Sequence, residues 1–143
     1  DDTHRDAIVL AADLVGQSAW PRDKVGNRSG RARGGGLHEK ARYVAHALCE
    51  NVIEMHPNRE HNYCCCAGGG VINCGPPYKM KRMQGNRVKA EQLFAAKARG
   101  AKILIAPCHN CHSGLEDINH HYSLGLEIKF IGDILYEVME KPA

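Results

Sequence analysis

Two cysteine elements carry the chemistry of this chain: Cys64-Cys65-Cys66-Ala67-Gly68-Gly69-Gly70 and Cys108-His109-Asn110-Cys111. Six of the seven cysteines lie between positions 64 and 111. Adjacent cysteines bond poorly to each other, and an odd, bunched set suits metal ligation better than a disulfide framework. Four thiolates delivered by two loops, Cys64, Cys65, Cys108 and Cys111, would hold a tetrahedral zinc or an iron–sulfur cluster. The run Gly68 to Gly70 would let backbone N–H groups approach sulfur and tune a cluster's potential. Cys108 and Cys111 fall at the start of a predicted helix, where the positive end of the dipole favours a thiolate. Cys49, on the inner side of an earlier helix, reads as a small packed apolar side chain. Cys66 and Cys74 stand open as extra ligands, redox partners or bystanders in the glycine loop.

Other chemistries compete for the same residues. Cys108-His109-Asn110-Cys111-His112 fits C-x-x-C-H, the attachment motif of a c-type haem with His112 as axial ligand. That reading leaves Cys64 and Cys65 without a role. A structural zinc module that docks a partner is a second alternative. A metal-free thiol oxidoreductase exchanging through Cys65, Cys66 or Cys74 is a third. His109, His120 and His121 lie near the cysteines in sequence and could replace a thiolate on zinc. His4, His38 and His46 read as surface residues.

The elements that must position these thiols show in the periodicity. Residues 3–16 read as an amphipathic helix, with a strand over Ala7 to Ala12 as the alternative. Gln17 to Gly36 is rich in Arg, Gly and Ser, has no period, and reads as a long loop. Leu37, Ala41, Val44, Ala45 and Leu48 mark a helix over 37–48. Asn51 to Met55 resembles a short strand. The segment 63–77, with its glycine run and Pro76-Pro77, reads as loop. Ala90, Leu93, Phe94 and Ala98 define one face of a helix over 86–99, stopped by Gly100. Lys102 to Ala106 is a buried strand, and a helix follows from Asn110 to His121 with Cys111, Leu115, Ile118 and Tyr122 on one side. Glu127 to Phe130 is another strand, and Ile131, Ile134, Leu135, Val138 and Met139 form a last helix.

This alternation predicts an α/β fold with a small, mainly parallel sheet flanked by helices. The cysteine-rich loops then sit at the carboxyl ends of the strands, where such sheets place ligands, and meet at one edge of the sheet. At 143 residues the chain is expected to be a single domain, its 1–36 part less defined than the α/β unit at 37–143. No apolar run approaches the roughly 18–20 residues that cross a bilayer. The acidic opening Asp1 to Asp6 is unlike a signal peptide and, without Met, reads as a piece of a longer protein. Nineteen basic and 16 acidic residues give a formal charge of +3. The basic clusters at Arg22 to Arg33 and Lys79 to Lys89 read as solvated surface. Lys79 to Arg87 also flanks the cysteines and could offset the charge of a thiolate cluster. No aromatic residues interleave with these clusters, so a nucleic-acid platform is not expected.

The cysteine pattern is similar to that of the CCG domain, the cysteine-rich domain of heterodisulfide reductase catalytic subunits. The likeness extends to related subunits in transmembrane redox complexes of sulfate-reducing bacteria. It runs from His56 to Lys141 and rests on Asn58-Arg59-Glu60-His61, Cys64-Cys65, Cys74-Gly75-Pro76-Pro77 and Gly85-Asn86-Arg87-Val88-Lys89-Ala90-Glu91. Ala106-Pro107-Cys108-His109-Asn110-Cys111 and Gly132-Asp133-Ile134-Leu135-Tyr136 continue it. The resemblance implies an iron–sulfur cluster, cubane [4Fe–4S] or non-cubane, while other copies of the domain carry zinc. It implies electron transfer or disulfide reduction in two one-electron steps, as part of a larger iron–sulfur subunit. That subunit would face the cytoplasm, peripheral to the inner membrane, with other subunits of a membrane redox complex as partners and a thiol or disulfide as possible substrate. Two departures from the family pattern stand out. The region Pro21 to Arg33 lacks the further cysteine that such domains carry, and Cys66 replaces a Gly or Asn. A full non-cubane ligand set would then need Cys66 or Cys74 to stand in. A four-thiolate zinc or [4Fe–4S] site would not.

Overall fold

Ile103-Leu104-Ile105-Ala106 is apolar at four successive positions, the pattern of a strand covered on both faces. The computed structural model, which describes residues 8–10, 38–68 and 70–139, buries all four. This strand, β3 (Ile103–Ala106), lies between β1 (Ile8–Leu10) and β4 (Glu127–Phe130), and β2 (Val52–Ile53) pairs with the far side of β1. All three pairings are parallel, with Ile8 opposite both Val52 and Ile103 and Ile103 opposite Glu127.

The period of two in β3 divides the core. Ile103 and Ile105 pack with Ala41, Ala45, Cys49 and Ile134, from the region of α1 (His38–Leu48) and from α5 (Ile131–Val138). Leu104 and Ala106 pack with Ala90, Leu93 and Ala96 of α3 (Arg87–Ala98) and Leu115 and Ile118 of α4 (His109–His121). Helices therefore cover both faces of the parallel sheet, and the expected α/β architecture is the one observed. Arg42, buried on α1, grips Glu54 just after β2 through Nε at 2.5 Å and Nη2 at 2.9 Å.

The strand order β2-β1-β3-β4 reverses direction between β1 and β3. Such a switch point opens a crevice at the carboxyl ends of the two strands. β3 ends there at Ala106, and Pro107 and Cys108 follow directly.

Most predicted elements appear where the periodicity placed them, with four differences. Within 3–16 the described part, Ile8–Leu10, is a strand rather than a helix; the rest, and the 17–36 loop with its basic residues, lies outside the described residues. The 63–77 segment is not all loop: Val71–Asn73 forms a 3-10 turn, and α2 (Pro76–Gly85) starts on the two prolines. A proline in the first turn lacks only an N–H that has no helical partner anyway, so the pair opens a helix instead of preventing one. On α3, Phe94 and Ala98 are exposed, and the buried face runs through Lys89, Ala90, Gln92, Leu93 and Ala96. Finally, Arg82 and Lys89 are buried rather than solvated. Gly100 closes α3 with φ +98°, as predicted.

Candidate metal centre

Cys108 and Cys111 are set by regular structure. Cys108 is the N-cap of α4 and Cys111 sits in its first turn, with the His112 N–H bonded to the Cys108 carbonyl at 2.9 Å. The Cys111 side chain packs against the core cluster.

The other cysteines arrive on irregular backbone, and side chains hold it. Asn86 Nδ2 donates to the Cys65 carbonyl at 3.1 Å, and Arg82 Nε donates to the Cys66 carbonyl at 2.8 Å. Upstream, the buried Lys89 Nζ donates to Asn62 Oδ1 at 2.9 Å and to Gln92 Oε1 at 2.7 Å. Gln92 Nε2 reaches the Pro57 carbonyl and Asn62 Oδ1. Arg82, Asn86, Lys89 and Gln92 follow one another at intervals of three or four residues across α2 and α3, a single helical stripe. That stripe is polar, buried and turned toward the cysteine loop. From the opposite side α4 comes so close that a Cβ on Gly114 would stand 2.5 Å from Ala67 Cβ and 3.1 Å from the Cys65 carbonyl. Only glycine allows this approach.

The two segments meet through sulfur. Cys65 Sγ donates to Cys111 Sγ across 3.3 Å, although the residues are 46 positions apart. Both are free thiols, far beyond the roughly 2.05 Å of a disulfide bond. Cys64 and Cys108 join the same network: Cys65 interacts with Cys64, and Cys111 with Cys108. The Cys66 N–H donates to Cys64 Sγ at 3.2 Å, and Cys66 has φ +52°. On this loop the Cys66 N–H is directed at Cys64 sulfur and the Ala67 N–H at Cys65 sulfur.

The electrostatics single out Cys111. The hydrogen bond from Cys65 outweighs burial and, with help from Cys108, holds the Cys111 thiol down to about 7. Lys89 acts in the same direction. The Cys65 thiol is pushed up by its bonds to Cys111 and Cys64, and the Cys66 thiol by its bond to Cys64. At Cys108 burial pushes the thiol up despite backbone N–H groups of Cys111 and Asn110, and Cys111 is lowered by its neighbouring thiols, so the expected helix-start effect accounts for neither net shift.

Remaining candidates fall outside this network. Cys74 is exposed, its sulfur 4.0 Å from the Gly70 carbonyl, and Cys49 is buried among the α1-side apolar residues as expected. His120 and His121 are exposed at the far end of α4, about 14 Å along the helix from Cys111. His109 is exposed, and His112 Nδ1 faces Glu116 at 3.4 Å. His46 is exposed as predicted, whereas His38 is half-buried beside Arg42, which donates to its carbonyl.

The donor set fits a thiolate-ligated group. Among the described residues no three His, Cys, Asp or Glu side chains converge closely enough to hold one metal ion. Cys64, Cys65, Cys108 and Cys111, delivered by two segments, are the donor type of a zinc or iron–sulfur site. A positive group waits beside them: Arg82 Nη2 is buried with no hydrogen-bond partner among the described residues. Sequence reasoning read Arg82 and Lys89 as part of a solvated basic run, with Lys79 to Arg87 also open as a counter-charge beside the cysteines, and missed that both are buried. Their helical register with Met83, Ala90 and Leu93 was the available signal.

Comparison with known proteins places the cysteine segments within a known domain family. The family profile of the cysteine-rich CCG domain matches residues 30–116, more than half of the chain. The "Hdr-like menaquinol oxidoreductase iron-sulfur subunit" of Archaeoglobus profundus is 36% identical over 80 residues, 54% of this chain and 14% of that protein. The "Hdr-like menaquinol oxidoreductase iron-sulfur subunit 2" of Archaeoglobus fulgidus is 37% identical over 81 residues, again 54% and 14%. The chain thus aligns with about one seventh of the length of these relatives. No solved structure matches it.

Proposed function

The chain belongs to the family of cysteine-rich CCG domains, and from that premise we propose that it is a redox module holding an iron–sulfur cluster. Cys64, Cys65, Cys108 and Cys111 are its ligands in this reading. The observation that carries it is the approach of Cys65 to Cys111 at 3.3 Å, which joins two distant loops through sulfur at the carboxyl end of β3. When bound, such a cluster takes up and releases one electron at a time. The protein's own part is to fix the sulfur positions, keep Cys111 ready to lose its proton, and supply N–H groups and buried cations near the thiolates.

The names of the relatives extend the reading to a larger assembly. The module serves in a membrane-associated, heterodisulfide reductase-like complex. It relays electrons between partner subunits or passes them to a thiol/disulfide acceptor, on the cytoplasmic side. Among the described residues no helix is long and apolar enough to cross a membrane, so attachment in this reading runs through partner subunits.

Anaerobic redox titration of the iron-loaded chain, followed by visible absorption and electron paramagnetic resonance, tests the proposal. Reversible one-electron bleaching, with a paramagnetic signal in one of the two states, is expected. A colourless, redox-silent zinc protein would make the chain a structural docking module instead.

A further inference from the structure

Arg82 is buried beside the cysteine loop, and one edge of its guanidinium is unused. Its side chain is 5% exposed. Nε donates to the Cys66 carbonyl at 2.8 Å, and Nη1 donates to Asp117 Oδ2 at 3.1 Å. Nη2 has no partner among the described residues, although it is shut off from solvent. Buried guanidinium N–H groups are ordinarily all hydrogen-bonded, and an exception points to an anionic group that belongs there. Asp117 does not neutralise the spot by itself, because Lys79 also binds it, at 2.6 Å. Two cations share one carboxylate, which leaves the guanidinium incompletely neutralised where it binds the Cys66 carbonyl.

Resting on the iron–sulfur reading above, we propose that Arg82 tunes the cluster. Its unused Nη2 edge is the hydrogen-bond donor and counter-charge for the sulfur of the bound group on the Cys64–Cys66 side. Reduction adds negative charge to an already anionic thiolate cluster, and a buried cation or an N–H donor to sulfur favours that more negative state. Arg82 therefore raises the reduction potential. Asp117, by shielding Arg82, lowers it. Both act on the cluster from outside its ligand set, so they are tuning and positioning residues.

The test is an anaerobic redox titration of the iron-loaded chain and three variants, with iron content measured on each. Arg82→Met should shift the potential to more negative values. Arg82→Lys, which keeps the charge but loses the fork, should shift it less in the same direction. Asp117→Asn should shift it the opposite way. A residue that merely clamps the Cys66 carbonyl would change iron retention without this pattern of signs. If Arg82→Met fails to retain iron, Arg82→Lys and Asp117→Asn decide, and unmoved potentials in both overturn the proposal. Iron-loaded Arg82→Met with the wild-type potential also overturns it, while the iron–sulfur reading survives. A wild-type chain that takes up no iron overturns both.

Discussion

Cys108 and Cys111 are placed by backbone: a four-residue buried strand leads into a 13-residue helix that has Cys108 as its N-cap and Cys111 in its first turn. Cys64, Cys65 and Cys66 are placed by side chains: Asn86 and Arg82 hold two consecutive carbonyls, and Lys89 and Gln92 hold Asn62 just upstream. The difference decides how each half of the site tolerates change. A segment held by strand and helix hydrogen bonds survives loss of any one surface side chain. A loop held by four buried polar groups does not, because each truncation leaves a buried acceptor without its donor. The second arrangement has a use: the groups that fix the loop also bring positive charge and N–H donors to the thiols.

The largest expected effect joins the two halves. Cys65→Ser and Cys111→Ser should each lose nearly all bound iron, measured against the wild-type chain. Cys49→Ala and Cys74→Ala should retain it. Next comes the packing between the halves. Gly114→Ala forces a methyl to within 2.5 Å of Ala67 Cβ and should cost about 3 kcal/mol in denaturant unfolding, the upper end for overpacking. Adding Ala67→Gly should recover part of that loss. Smaller again, Asn86→Ala leaves the Cys65 carbonyl without its donor and should cost about 1–2 kcal/mol. On the backbone-built half, His112→Ala removes the contact with Glu116 without leaving a carbonyl of the cysteine segment unpaired, and should cost less than Asn86→Ala in the same experiment.

The smallest effect is on pH dependence. In metal-free protein Cys111 is held at about 7, below the roughly 8.5 of an unfolded thiol. A depressed acid stabilises the fold fully above its unfolded value, and that contribution disappears as pH falls through the folded one. Urea midpoints of the metal-free chain should therefore decline between about pH 8.5 and 7, and Cys111→Ser should flatten this decline. Above that window Cys65 and Cys66, whose thiols are pushed up, act in the opposite sense.

The same contrast explains what was legible beforehand. The continuous apolar run of β3, the helical spacing of Cys111, Leu115 and Ile118, and the Gly100 stop are local signals, and the structure follows them. Cys108 and Cys111 were readable for that reason. The prolines of α2 were misleading because the same residue that breaks a helix interior begins one. The burial of Arg82 and Lys89 was hidden because charge suggests exposure, and their partners, the Cys66 carbonyl and Asp117 for Arg82 and Asn62 for Lys89, are distant in sequence. Phe94 failed in the other direction: its helical position fits the apolar stripe, yet the buried face of α3 is rotated to take in Lys89, Gln92 and Ala96 with Ala90 and Leu93, and leaves Phe94 exposed. The meeting of Cys65 and Cys111 was foreseeable from strand topology, but the glycine that lets α4 approach the loop, Gly114, gave no sign in sequence.

Iron and acid-labile sulfide analysis of the anaerobically prepared chain tests the central claim most directly. The predicted result is about four irons and a similar amount of sulfide per chain, lost together in Cys65→Ser and in Cys111→Ser. One zinc without sulfide, or iron retained by either variant at the wild-type level, would contradict a cluster shared between the two cysteine segments.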